Sequence, residues 1–160
     1  MASKADSKKS KRIIKESIQG IIDNLEIEAV IKLKEDEKGV KVTIETPEAG
    51  YLIGRHGETL NALQYLLKVI VYNQTGEFPP LEIDIADYRR NREKILQSMV
   101  ASAAKRVKLT GKPVALSPMS SYERRITHLI ITLEKDVFSE SEGEGDERKV
   151  VVKPKTGKTG

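Results

Sequence analysis

The chain has 160 residues, of which 38% are hydrophobic and 32% charged, with a net charge of +4 and no cysteine. That size suits one average domain or two small ones. The missing thiols exclude disulfides, thiolate metal sites and a cysteine nucleophile, and they fit a reducing cytoplasm.

Read in chain order, residues 1–7 are expected to be a disordered basic tail. MASKADSKKSKR has no apolar stretch behind its lysines, so no secretory signal is expected. From about Lys8, the spacing of Ile13, Ile14, Ile18, Ile21, Ile22 and Leu25 predicts one apolar helix face. Ile27, Ala29, Ile31 and Leu33 alternate with mostly polar neighbours, and so do Val40, Val42 and Ile44. With a turn from Asp36 to Gly39, they predict a β-hairpin. A short apolar turn from Ala49 to Ile53 leads to Gly54-Arg55-His56-Gly57. A long helix follows, carrying Leu60, Leu63, Leu67, Ile70 and Val71 on one side. Gly76 and the pair Pro79-Pro80 stop it, and Leu81, Ile83 and Ile85 predict a third strand.

The second half opens at Asp87, a predicted N-cap. Ile95, Leu96, Met99, Val100, Ala103 and Val107 make a helical stripe ended by Gly111 and Pro113. Val114 to Met119 is a short extended piece. Ser120 or Ser121 caps a helix with a predicted inner face of Tyr122, Ile126, Leu129, Ile130 and Leu133. The Gly/Glu/Ser-rich stretch 139–147 reads as a flexible loop, Val150 to Lys153 as a closing strand and the tail from Pro154 as frayed. The expected division is therefore 1–7 tail, 8–86 first domain, 87–155 second domain and 156–160 flexible tail. No run approaches the ~18 apolar residues of a membrane-crossing helix, so no membrane insertion is expected.

Charge is unevenly spread. Residues 87–135 hold eleven basic and four acidic side chains, whereas 136–147 hold six acidic and none basic. The basic block fits a polyanionic partner. Two motifs give it chemistry. In Ile53-Gly54-Arg55-His56-Gly57, the glycines let the backbone turn and approach a ligand closely. The second glycine opens a helix whose free N–H groups favour phosphate. Set after α-β-β-α and before α-β, such a loop grips about four nucleotides of a single strand. The bases would lie in an apolar groove read by Leu52, Ile53 and a strand edge. An ordinary helix–helix turn is the plain alternative. The second motif is Arg124-Arg125-Ile126-Thr127-His128, where Arg124 and His128 share a helix face and can meet phosphate together. A solvated basic face would use the same residues.

Arg89, Arg90, Lys112 and Arg148 are auxiliary basic candidates, within a series that also includes Arg92, Lys94, Lys105, Arg106 and Lys108. The acidic run from Glu140 to Glu147 lacks the spacing of a calcium loop. It reads as solubilising, and it competes with RNA for Arg148 and Lys149. No catalytic or paired metal-ligand motif occurs, so neither enzyme activity, nor a metal, nor a cofactor is expected.

Four stretches together resemble the bacterial Jag/KhpB family, whose members are also called SpoIIIJ-associated proteins. They are TPEAGYLIGRHGETLNALQYLLKVIVYNQTG, LEIDIADYRRNRE, PVALSPMSSYERRITHLII and SEGEGDERKVVVKP. The resemblance implies an α+β chain. A type II KH domain (α-β-β-α-α-β, a three-stranded sheet with helices on one face) would precede a small α/β R-x3-H domain. It maps the RNA-contacting loop to Gly54, Arg55, His56 and Gly57, and the signature pair to Arg124 and His128 with Arg125 beside them. It further implies a cytoplasmic RNA chaperone that pairs with the small KH protein KhpA and serves cell elongation, division and peptidoglycan homeostasis. The N-terminal Jag-N domain of many members is not expected in front of this KH helix. Two alternatives are an adaptor that dimerises with another KH protein through Ile13, Ile14 and Ile18, and a binder of single-stranded DNA.

Overall fold

The computed structural model describes residues 4–155, with side chains from residue 8. The described chain divides into two compact units between Arg89 and Arg90. The expected junction was Ala86/Asp87. The division falls later because Tyr88 packs on the first core and Arg89 bonds to the backbone of the first sheet. Residues 1–3 and 156–160, assigned above to tails, lie outside the described residues.

The first unit contains α1 (Lys4–Asn24), β1 (Val30–Asp36), β2 (Gly39–Glu45), α2 (Ala49–Ile53), α3 (Glu58–Thr75) and β3 (Leu81–Ile85). This is the expected α-β-β-α-α-β order. The helix begins at Lys4 rather than Lys8, since Lys and Ala extend a helix readily once its apolar face is docked. β1 starts at Val30, later than the alternation from Ile27 suggested. β1 and β2 form an antiparallel hairpin with Asp36 opposite Gly39, and β2 pairs with β3 in parallel. Val40, Val42, Ile44, Leu81, Ile83 and Ile85 share one sheet face. They form a core with Ile13, Ile14, Ile18 and Ile22 of α1 and with Leu60, Leu63, Leu67 and Val71 of α3. Ile13, Ile14 and Ile18 are therefore core residues and give an adaptor no surface, whereas Leu25 is exposed. Asp84 alternates with that face and lies on the other side of the sheet, buried, with Oδ1 lacking a hydrogen-bond partner.

Ala86 and Asp87 follow, both at positive φ (51° and 55°). Asp87 thus departs from the extended backbone of an N-cap residue. The second unit takes up α4 (Tyr88–Thr110) from Arg90 onward, then β4 (Val114–Ala115), α5 (Ser121–Thr132), β5 (Val137–Glu142) and β6 (Lys149–Pro154). Its sheet runs β4-β6-β5, antiparallel throughout. Leu96, Val100, Ala103, Ala104 and Val107 pack with Leu116, Met119, Ile131, Val137, Val150 and Val152.

Two expectations fail here. The first concerns 139–147, which is no flexible loop: residues 139–142 are strand, and a helical turn covers Gly145–Glu147. The polar strand is held by alternation. Ser139 and Ser141 turn toward α5, while Glu140 and Glu142 pair with Lys153 on β6, the latter at 2.8 Å. Pro154 lies within β6, and Lys155 N–H donates to the Asp136 carbonyl at 3.0 Å, so this end is tied down rather than frayed.

The second concerns α5. Its buried column is Glu123, Thr127 and Ile131, whereas Tyr122, Leu129 and Leu133 are 52%, 60% and 84% exposed. The column lies one residue on from that predicted, a rotation of about 100°. Ile126 and Ile130 still border the core. The turn is possible because the polar members of the column are satisfied. Glu123 closes a capping box with Ser120 and accepts from Arg92 Nε of α4. The Thr127 hydroxyl meets Met119 Sδ at 3.4 Å.

Candidate nucleic-acid interface

The loop at the start of α3 is shaped by its glycines. Gly54 adopts φ 70°, ψ −175°, a region open in practice only to glycine. A Cβ there would overlap the Thr59 side chain, lying 2.7 Å from its Cβ. His56 and Gly57 follow in the left-handed region, at φ 53° and 79°. A Cβ on Gly57 would come within 2.9 Å of Tyr88 Cε1. This path exposes Arg55 and leaves His56 and Gly54 half-exposed, while Gly57 is buried. No side chain caps α3, whose N-cap is Gly57 and whose first turn holds Glu58. The backbone N–H groups of such a turn attract anions.

The surroundings differ from expectation. Leu52 is only 2% exposed and belongs to the core, so it lines no groove. Ile53 is half-buried against the same core. Tyr51, one residue before Leu52, is 76% exposed. It is an aromatic face next to the loop that sequence reading passed over, because its neighbours on both sides are apolar.

In the second unit, Arg124, Arg125, His128 and Arg148 line one open depression of about 360 Å³ with Ser121, Leu129, Thr132 and Ser141. The signature residues are brought together there with one auxiliary candidate, Arg148. They are held unequally. Arg124 donates to the Met119 carbonyl (2.9 Å) and to Ser121 Oγ (3.0 Å). His128 is gripped at both ring nitrogens, by Ser139 Oγ at 2.7 Å and Ser141 Oγ at 2.8 Å. Burial, then the neighbouring Arg124 charge, push its pKa below the ordinary 6.5. A neutral imidazole with both nitrogens engaged ties α5 to β5 and is a poor phosphate donor. Arg125 and Arg148 are exposed, and their guanidinium groups suit phosphate. The serines escaped sequence reading because their stretch looked like a loop. The alternation of Val137, Ser139 and Ser141 was the available signal.

The other basic candidates are dispersed. Arg89 is folded onto the first sheet and α3, bonding the Ile83 carbonyl, Asn61 and Gln64. Arg92 pairs with Glu123 and Lys108 with Glu134. Arg90 and Lys112 are exposed but do not line the α5 depression. Among the described residues, no group of three or more His, Asp or Glu is placed to hold a metal ion, and no helix is long and apolar enough to cross a membrane.

Comparison with known proteins supplies a context for both sites. Residues 11–83 match the family model "KhpA/KhpB, KH domain", and residues 94–154 match the family model of the R-x3-H domain. The RNA-binding protein KhpB of Clostridium symbiosum is 33% identical over 81% of this chain and 58% of its own length. Its namesake in Streptococcus pneumoniae serotype 2 (strain D39 / NCTC 7466) is 36% identical over 84% of this chain and 41% of its own. That of Bacillus subtilis (strain 168) is 30% identical over 86% and 67% respectively. The chain spans about half the length of the first of these relatives.

Proposed function

The chain belongs to the KhpB family, and on that premise we propose that it binds single-stranded RNA without catalysing a reaction. The observation carrying this reading is the glycine-shaped loop, where exposed Arg55 stands over an uncapped helix start. A flexible ribose-phosphate strand can lie against such a turn, whose glycines keep side chains out of the way. Arg125 and Arg148 supply a second contact, and His128 and Arg124 keep the α5 depression in shape. The sequence resemblance extends the proposal to an RNA chaperone in the cytoplasm, serving cell elongation, division and peptidoglycan homeostasis.

Affinity for single-stranded RNA is expected to fall linearly with salt on logarithmic axes. Arg55→Asp combined with His56→Asp is expected to lower affinity about 100-fold at low salt, by placing two negative charges against the phosphates. Unchanged binding by that variant removes the loop from the mechanism. Competition between matched RNA and DNA strands distinguishes the single-stranded DNA alternative, since only RNA offers the 2′-hydroxyl.

A second reading rests on α3. Tyr65, Leu66 and Tyr72 stand exposed at helical spacing, with Phe78 stacked on Tyr72 at 4.4 Å between ring centres. This apolar stripe suits association with another KH module, either the small protein KhpA or a second copy. It replaces the α1 surface that the sequence suggested. A mass by light scattering that doubles without RNA, and reverts in Tyr65→Glu, supports it; a constant monomer mass removes it.

A further inference from the structure

β3 is an edge strand, because the first sheet runs β1-β2-β3. The outward backbone groups of an edge strand are a template for any partner that sets a donor beside an acceptor. At Ile83 both groups are already taken by side chains. The Ile83 N–H donates to Gln64 Oε1 at 2.9 Å, and Arg89 Nε donates to the Ile83 carbonyl at 3.4 Å. Arg89 Nη2 also reaches Gln64 Oε1 and Asn61 Oδ1, each at 3.3 Å. Gln64 and Arg89 are thus joined into one clasp, half-buried, across the strand.

The clasp is close to the glycine loop. Gln64 lies about 10 Å along α3 from Gly57, and Tyr88, the neighbour of Arg89, has its ring against Gly57. A strand gripped at the loop therefore passes Ile83 within the roughly four nucleotides that such a loop holds. The Watson–Crick edge of a base carries a donor next to an acceptor, the combination presented by Arg89 Nε and Gln64 Oε1. Resting on the RNA reading above, the geometry points to Gln64 and Arg89 as an internal substitute for a nucleobase on β3. While the clasp is closed, the first unit holds the ribose-phosphate chain and reads no base at Ile83. Opening it exposes a base-selective edge, so these two residues set specificity.

The test uses the full chain, with Gln64→Ala and Gln64→Glu, against oligoadenylate, oligocytidylate and oligouridylate of about ten nucleotides. The readout is the ratio of tightest to weakest affinity at one salt concentration, with hydrogen exchange at the Ile83 amide. Gln64→Ala is expected to speed Ile83 exchange and widen the ratio about tenfold, the scale of one base-edge hydrogen-bond pair. Gln64→Glu keeps the acceptor oxygen, so it is expected to weaken all three oligomers together and leave the ratio alone. Faster Ile83 exchange with an unchanged ratio overturns the inference, as does an Ile83 amide equally protected in both variants. An unaltered chain that binds none of the three sinks the RNA reading itself, and this inference with it.

Discussion

The two units prepare for a strand with different materials. In the first, the gripping surface is backbone: Gly54 and Gly57 hold conformations that other residues resist, and Arg55 is left exposed on top. In the second, it is side chain. Arg124 is pinned by Met119 and Ser121, and His128 by Ser139 and Ser141, so that neighbouring arginines are displayed on a stiffened helix. A loop of the first kind depends on two glycines and tolerates change around them. A site of the second kind depends on a hydrogen-bonded network and fails when a member several residues away is lost. The units also treat buried carboxylates differently. Glu123 has Arg92 and the Ser120 backbone as partners, whereas Asp84 keeps one oxygen with none.

That contrast can be broken experimentally. The largest effect is expected from Glu123→Ala, which removes one half of a buried ion pair together with a capping box. Stability of the second unit should fall by about 3 kcal/mol. Native-state hydrogen exchange at Val150 should register the loss while Ile44 in the first core does not; equal losses at both would show that the units do not respond separately. Asp84→Asn should act in the opposite direction, stabilising the first unit by about 1 kcal/mol at neutral pH, the scale of an unsatisfied buried polar group. Burial foremost, then Asp87 and Glu82, raise the Asp84 pKa above 3.8, against the pull of Lys41 and Arg89. Its protonated form is therefore favoured in the fold. That stability is fully present below 3.8 and is lost as pH rises through the raised value, so the advantage of asparagine should vanish in acid. Denaturant midpoints at neutral and acid pH check this. The smallest effect is a slope. His128 titrates below 6.5 in the fold, so its contribution is complete above 6.5 and is lost as pH falls from there toward the lowered value. His128→Asn should flatten the decline of second-unit stability over that window. A decline that persists would move its origin to another group.

How much of this was legible follows from the same difference. Gly54 and Gly57 announce their backbone role by residue type alone, and the period-two runs around Val42 and Ile83 mark the strands that flank them. Element order and loop position in the first unit were therefore readable. The side of α5 that faces inward was not. Apolar spacing favoured Tyr122, Leu129 and Leu133, and only the pairing of Glu123 with Arg92 across two helices makes the other side the buried one. Ser120 and Glu123 stand at capping-box spacing, a clue to the cap but not to the rotation. Composition misled in β5 as well, where serine and glutamate look like loop until His128 and Lys153 are seen on opposite sides of the strand. Arg89 looked like a nucleic-acid contact for a related reason: a positive charge in a sequence carries no sign of the carbonyl it will fold onto.

The parallel pairing of β2 with β3 has a consequence for synthesis. Parallel strands need a crossover between them, and the glycine loop is part of that crossover, between Glu45 and Leu81. Its ends are fixed only when Val40 meets Leu81 and Ile44 meets Ile85, and Tyr88 must then arrive beneath Gly57. On a translating ribosome the nascent chain therefore cannot capture a transcript with this loop until codon 88 has been decoded and its residue has cleared the exit tunnel.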